Sequence, residues 1–201
     1  MELIDIERIL RRGASSLAES LHFYWPSHGN NEVPEANIEL HLAHALLESG
    51  FFVYGQAHPS GTANTRLDTV AVDPRNKVHV VAEFKRLYNV DQARAMVADA
   101  ERIIAWTPQA QGWRHPGLNF GRKFGLLAAT TWKAEFAKWF TTDDAKMRDP
   151  TGDDGPFDEL WKKLPKQRTI WDALPLTSYH VAGRKKLEGQ WLVYALFELQ
   201  A

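Results

Sequence analysis

Two apolar runs joined by a short polar turn constrain the fold of this chain more than any other segment. The runs cover residues 66–73 and 78–86, and the turn that links them begins at Asp73 and reads Asp-Pro-Arg-Asn-Lys. Apolar runs of this length, bounded by Pro and Asn, predict two strands joined by a tight turn. Both strands are apolar on both faces except near their ends, which is typical of strands covered on both sides. The segment therefore predicts a hairpin in the interior of a sheet.

Three charged side chains are expected on one face of this hairpin. Glu83 and Lys85 are separated by one residue, so on a strand both project to the same side. If Asp73 pairs with Val78, then Asp68 lies directly across from Glu83. Opposed Cβ atoms are about 4.5–5.5 Å apart, where two carboxylates repel each other unless a cation lies between them. Carboxylate oxygens suit Mg²⁺ or Mn²⁺ better than zinc, and a nearby lysine can orient water, so the pattern indicates metal-assisted attack on a phosphate.

The alternative interpretation of these charges is a structural ion pair at the end of the hairpin. Buried unpaired charges are costly, so charges on otherwise apolar strands need a partner or a function. We favour a catalytic function because three charges converge on one face. Other catalytic classes lack their signatures: the sequence has no Walker A, Gly-x-Ser-x-Gly or Gly-x-Gly-x-x-Gly motif and no cysteine.

The flanking sequence predicts an α/β chain with a largely covered sheet. A helical pattern at 4–22 is interrupted by Gly13, and Gly50 follows the last periodic residue of a second helix. Besides the hairpin, the sequence predicts helices at 36–49 and 89–106 and strands at 51–54, 124–130 and 190–197. Helical spacing places both Ile103 and Ile104 on the inward face of the helix at 89–106.

The hairpin motif resembles that of a known nuclease superfamily. Asp68, followed after fourteen residues by Glu83-Phe84-Lys85, is similar to the D…(D/E)xK signature of the PD-(D/E)XK, or restriction-endonuclease-like, superfamily. The core of that family is a helix, a three-stranded antiparallel meander, a helix and a strand, which is the order predicted here. The resemblance implies a restriction-endonuclease-like core at 35–131, an N-terminal helical arm at 1–34 and a C-terminal α/β extension at 132–201, packed on the core.

The resemblance also implies roles for the motif residues. Asp68 and Glu83 would bind Mg²⁺ or Mn²⁺, the backbone carbonyl of Phe84 would be a further ligand, and Lys85 would orient the attacking water. The residue before the first acid is often proline in the family and is Leu67 here. The implied activity is that of a metal-dependent endonuclease that hydrolyses phosphodiester bonds in DNA.

One further catalytic residue and four supporting candidates follow from the same resemblance. Many members of the family add a glutamate on the first core helix, and Glu39 stands at that place, where it would bind the metal directly or through water. Glu35, one turn earlier, is the alternative. Gln92 begins the next helix, where some members place a polar residue beside the site. Ser60 and Thr62 belong to the loop that leads into the strand of Asp68, and they are candidates for contacts with phosphate.

Charge and composition leave two classes of function open. The chain has 24 Lys and Arg against 25 Asp and Glu, for a net charge of -1, which excludes a strongly basic nucleic-acid coat but not an enzyme with a local basic groove. The alternative is a non-catalytic nucleic-acid-binding or assembly module that retains the nuclease fold, with which the near-neutral charge agrees.

The family resemblance and the N-terminal sequence also indicate the partners and the cellular location of the protein. DNA is the expected partner and RNA the alternative. Enzymes of the family that cut both strands often act as dimers, so a homodimer is one candidate assembly, and the sequence does not determine the oligomeric state. The acidic N-terminus and the lack of an apolar run near ~18 residues predict no membrane segment and a cytoplasmic location.

Overall fold

In the described part of the chain, six strands form one mixed sheet with helices packed on its two faces. This computed structural model describes residues 1–24, 33–57, 66–107, 121–141, 149–152, 155–180 and 187–199. In chain order the strands are β1 (Phe52–Ala57), β2 (Leu67–Asp73), β3 (Val78–Arg86), β4 (Arg122–Thr131), β5 (Thr169–His180) and β6 (Leu187–Leu199). Their order across the sheet is β1-β2-β3-β4-β6-β5, and all neighbours are antiparallel except β3 and β4. The predicted α/β class is confirmed.

The helices divide between the two faces of the sheet. They are α1 (Leu3–Tyr24), α2 (Glu35–Glu48), α3 (Val90–Ala105), α4 (Ala134–Phe140) and α5 (Pro156–Lys163). The first two share a core with one face, and the other three share a second core with the opposite face. Among the described residues, no helix is long and apolar enough to cross a membrane.

The elements from α2 to β4 follow the order helix, three antiparallel strands, helix, parallel strand. After them, β6 pairs with the far side of β4 and β5 completes the sheet, so the C-terminal strands extend the same sheet. The assignment of residues 35–131 to a restriction-endonuclease-like core stays a prediction.

The predicted hairpin register is confirmed. Asp73 pairs with Val78 and Thr69 with Ala82, so the pairing of the two strands keeps one register from the turn to the end of the hairpin near the charged motif. Successive residues of β3 alternate between the two cores, as a strand requires. Phe84 therefore packs towards α1 and α2, while its neighbours on either side project towards α3.

The predicted interruption of the first helix at Gly13 is wrong, because α1 continues through it. The glycine is needed for packing: a Cβ atom built at this position would lie 2.6 Å from Leu42 Cδ2 and 3.0 Å from the carbonyl oxygen of His41. The missing side chain lets α1 and α2 approach closely, and that contact covers one face of the sheet.

Side chains fix both ends of α3, the helix that covers the candidate site. Asn89 caps its N-terminus by accepting a hydrogen bond from the Gln92 amide. Lys123 on β4 donates from Nζ to the carbonyl oxygens of Ile103 and Trp106, both at 2.5 Å, at the other end. Cations at a helix C-terminus also interact favourably with the helix dipole. These contacts hold α3 in place over the sheet.

Candidate active site

The polar end of the hairpin brings the two motif carboxylates together. Asp68 Oδ2 accepts a hydrogen bond of 2.8 Å from the backbone amide of Phe84, so its side chain reaches across to β3. The confirmed register runs to Thr69 and Ala82, and Asp68 and Glu83 are the next residue on each strand. Glu83 is buried, whereas Asp68 is half-buried. The charge of Asp68 disfavours ionisation of the neighbouring Glu83 carboxyl group.

Glu83 binds its proton more tightly than an ordinary glutamate. Burial raises the pKa of Glu83 to about 8, the carboxylates of Asp68 and Asp99 act in the same direction, and Arg102 offsets only part of the effect. Near neutral pH the protonated form of Glu83 is therefore favoured. A cation placed between the carboxylates would offset their repulsion and favour the ionised form of Glu83.

Two residues of α3, Asp99 and Arg102, complete a charged network with the motif. The Nε and Nη2 atoms of Arg102 each lie 3.0 Å from Oε1 of Glu83, and Nη2 also forms a short ion pair with Asp99. On its other side, Oδ2 of Asp99 lies 3.2 Å from Nζ of Lys85. Asp99 is 1% exposed, so this carboxylate is shielded from solvent and pairs with Lys85 and Arg102 from inside the protein.

Lys85 remains charged in this environment. Burial alone would lower the pKa of Lys85, but the carboxylates of Asp99, Glu35 and Asp68 together outweigh burial and hold the pKa above its usual value. About 20% of the side chain is exposed, so the ammonium group is accessible from outside while it is anchored from inside. It can therefore donate hydrogen bonds to water or to a phosphate oxygen.

Sequence reasoning missed Asp99 and Arg102, although the sequence contained a signal for the first. Asp99 lies three residues after Met96 and four before Ile103, which places it within the apolar face of α3. An acidic residue at such a position calls for a buried cation. In contrast, Ile104, predicted to point inward, is exposed.

Glu39 reaches the sheet from the opposite face. Its Oε1 accepts a hydrogen bond of 3.3 Å from Thr69 Oγ1, and Thr69 projects away from the side of β2 that carries Asp68. Burial raises the pKa of Glu39, and the nearby charge of Asp68 raises it further. Glu39 is thus an electrostatic neighbour of Asp68, separated from Glu83 by the sheet.

Glu35, the alternative on the same helix, lies beside the end of β3. Its Oε1 accepts a hydrogen bond of 3.1 Å from the backbone amide of Arg86 and lies 3.9 Å from the Arg86 guanidinium. The charge of Glu35 also contributes to the raised pKa of Lys85. The structure therefore places both α2 glutamates near the motif, each at a different strand end.

The remaining candidates are less closely connected with the carboxylates. Gln92 lies two helical turns before Asp99 on the same face of α3, and its side-chain amide donates to the Tyr88 hydroxyl at 3.3 Å. Ser60 and Thr62 lie outside the described residues.

Gln56 on β1 is a further neighbour of Asp68 that the sequence did not indicate. Its side-chain amide donates to Oδ1 of Asp68 at 3.4 Å. Gln56 has a φ of 53°, a left-handed conformation that is uncommon for residues other than glycine. Such strained residues cluster at functional sites. The backbone of β1 is therefore unusual at the point where it meets the carboxylates.

The donor set of the site fits a hard divalent cation through two side chains. Within the described ranges, no group of three or more His, Cys, Asp or Glu side chains is placed to hold a metal ion. Asp68 and Glu83 nevertheless offer carboxylate oxygens that repel each other, and the Phe84 carbonyl belongs to the same stretch of β3. Such oxygen donors suit Mg²⁺ or Mn²⁺.

Comparisons of the chain with protein-family models, with curated proteins and with solved structures find no match.

Proposed function

We propose that this protein is a metal-dependent nuclease that hydrolyses phosphodiester bonds in DNA. The observation that supports this proposal most strongly is the convergence of Asp68, Glu83 and Lys85 at one end of a hairpin, where the Asp68 carboxylate bonds to the backbone of β3 and its charge acts on the Glu83 carboxyl group. Carboxylates that only solvate a protein surface gain nothing from lying close together, because their charges repel. A site that binds a cation beside a phosphate needs two carboxylates close together with a lysine nearby.

In this proposal Asp68 and Glu83 would hold Mg²⁺ or Mn²⁺ together with the Phe84 carbonyl. When bound, such an ion supplies Lewis-acid stabilisation of the phosphoryl oxygens. Lys85 donates hydrogen bonds that orient the attacking water or stabilise charge on the phosphate. Because Asp99 holds the pKa of Lys85 above its usual value, Lys85 serves as a donor and not as the base that removes a proton.

Asp99 is a positioning residue in this account. It contacts Lys85 and Arg102 from inside the protein and, at 1% exposed, is shielded from a substrate. Its negative charge keeps Lys85 ionised and directs the ammonium group. Arg102 in turn binds one oxygen of Glu83 and limits the orientations that this carboxylate can adopt.

The proposal includes the finer fold assignment. The order from α2 to β4, with three antiparallel strands followed by a helix and a parallel strand, supports a restriction-endonuclease-like core. DNA is the proposed substrate and RNA the alternative. A homodimer and a cytoplasmic location stay predictions.

One observation favours a second candidate, a non-catalytic binding or assembly module. Arg102 pairs with Glu83, and Asp99 pairs with both Arg102 and Lys85, so the charges of the motif are balanced within the protein. A network of this kind can be retained for structure alone. In that case the protein would bind nucleic acid or a partner without cleaving it.

Cleavage of plasmid and single-stranded DNA in Mg²⁺ or Mn²⁺ distinguishes the two candidates. Asp68→Asn removes one carboxylate charge from the site, whereas Asp91→Asn makes the same change on α3 at a side chain that is 84% exposed. The nuclease proposal predicts cleavage by the wild type and by Asp91→Asn, and none by Asp68→Asn. Equal cleavage by both variants would reject the assigned site, and binding without cleavage by the wild type would favour the second candidate.

A further inference from the structure

Edge strand β1 carries two exposed aromatic residues, Phe52 and Tyr54. Their relative exposures are 71% and 65%, whereas Val53 between them is partly buried against the core shared by α1 and α2. Because side chains alternate along a strand, Phe52 and Tyr54 project from the other face of the sheet. We refer to these two side chains as the aromatic platform. A pair of exposed rings on one strand face calls for an explanation by binding.

The aromatic platform lies on the same face of the sheet as the candidate active site. Tyr54 pairs with Val70, whose side chain belongs to the core beneath α3, and Asp68 lies two residues before Val70 on that face. Further along β1, Gln56 donates a hydrogen bond to Asp68. The two rings therefore form a line along β1 that ends at the carboxylates.

We propose that the aromatic platform stacks on unpaired bases of single-stranded DNA whose backbone passes the site of Asp68, Glu83 and Lys85. This inference rests on the proposed nuclease function and defines its substrate class. Unpaired bases expose π-faces that stack on aromatic side chains regardless of sequence, whereas duplex bases are already stacked on one another. A DNA strand that lies along β1 would bring one of its phosphates to the carboxylates of Asp68 and Glu83.

Geometry and charge favour a nucleic-acid strand on this surface. Two residues of a strand span about 6.6 Å, so each ring can take a different base. Arg66 is exposed immediately before β2, two residues from Asp68, and provides a cation for the phosphate backbone close to the site.

A second copy of the chain is a less favourable occupant. Each aromatic side chain buries about 150–250 Å² at most. Two of them contribute well below the ~1,200 Å² at which stable interfaces begin. In addition, the rings project from the face of β1, whereas pairing of two edge strands would use its backbone.

Fluorescence anisotropy with labelled oligothymidylate and with a labelled duplex tests the inference. Wild type, Phe52→Ala and Tyr54→Ala are compared in EDTA, where metal-dependent cleavage does not occur. The matched control is Phe23→Ala, which removes a ring that is 77% exposed on α1. We expect each platform substitution to weaken single-strand binding at least about five-fold and to change duplex binding less. Phe23→Ala should bind like the wild type.

Three results would overturn the inference. These are a wild type that does not bind the oligonucleotide, equal affinity of all variants, and an equal loss in the Phe23→Ala control. Sedimentation of the same proteins tests the alternative occupant, a second copy of the chain. A wild-type dimer that becomes a monomer in Phe52→Ala and Tyr54→Ala, but not in Phe23→Ala, would assign the surface to that second copy. If Phe52→Ala and Tyr54→Ala weaken binding but the wild type cleaves no DNA, the nuclease proposal is rejected. The assignment of the aromatic platform to single-stranded DNA binding would then still stand.

Discussion

The ammonium nitrogen of Lys85 lies 3.2 Å from Oδ2 of Asp99, a carboxylate that is 1% exposed. Through Asp99 the hairpin motif is connected with α3, and through Arg102 the same helix reaches Glu83. The site therefore consists of two layers: three motif side chains on the sheet, and two residues above them that determine their charge and orientation.

Asp99→Asn should reduce cleavage mainly by lowering the rate and not by weakening substrate binding. Without the carboxylate charge, burial would lower the pKa of Lys85, so the activity of the variant should fall at a lower pH than that of the wild type. Loss of the charge should also destabilise the fold by about 1–3 kcal/mol because two partly buried cations lose a partner. Cleavage rates against pH and thermal unfolding measure these effects.

A purely structural role for Asp99 would give a different pattern. The stability would still fall, but the pH profile of the remaining activity would match that of the wild type. Asp99→Glu, which keeps the charge, should recover part of the rate in our account and provides the conservative control.

Glu83→Gln should change how stability depends on pH. Glutamate ionises near its usual pKa of 4.5 in the unfolded chain and near 8 in the folded protein, so between these values the folded state binds the extra proton. The stability of the wild type should therefore decrease as the pH rises from about 4.5 to 8. Glutamine has no proton to lose, so the variant should lack this decrease and be more stable than the wild type at pH 9.

Melting temperatures at pH 5, 7 and 9 in the absence of divalent metal test this prediction. Glu101→Gln, on an exposed side chain of α3, is the control and should preserve the wild-type pH dependence. Parallel pH profiles of the wild type and Glu83→Gln would show that Glu83 ionises normally.

Mg²⁺ or Mn²⁺ should stabilise the wild type more at pH 9 than at pH 6, because the ion competes with the proton on Glu83, whose pKa is about 8. At about 100 times its dissociation constant, a ligand adds about 2.7 kcal/mol, which for a chain of this length is roughly 5–10 °C in melting temperature. Thermal shift with and without metal provides the measurement. An equal shift in Asp68→Asn would place the ion elsewhere.

Gly13→Ala should destabilise the protein by about 1–3 kcal/mol, although alanine is the better helix former. The added methyl group would lie 2.6 Å from Leu42 Cδ2, so α1 and α2 must separate. Gly121→Ala is the matched control because, among the described residues beyond its chain neighbours, no heavy atom lies within 4 Å of its added Cβ. Chemical denaturation of both variants measures the difference, and equal stabilities would contradict the close packing.

The positions of the site residues on the hairpin could be predicted from the sequence, because they depend only on the turn and on strand periodicity. The turn after Asp73 and the apolar pattern determine the register, and the register places Asp68 opposite Glu83. Asp99 and Arg102 could not be placed in the same way, because their contacts depend on how α3 is rotated over the sheet. The face reached by Glu39 likewise depends on where α2 packs, which is a tertiary property.

The central claim is that Lys85 acts on the phosphate beside a cation held by Asp68 and Glu83, and single-turnover cleavage by Lys85→Met tests it most directly. Lys166→Met, at an exposed position in the turn before β5, is the matched control. Our account predicts that Lys85→Met still binds Mn²⁺ but cleaves DNA about 100-fold or more slowly, with Lys166→Met like the wild type. Equal cleavage rates for Lys85→Met and Lys166→Met would contradict it.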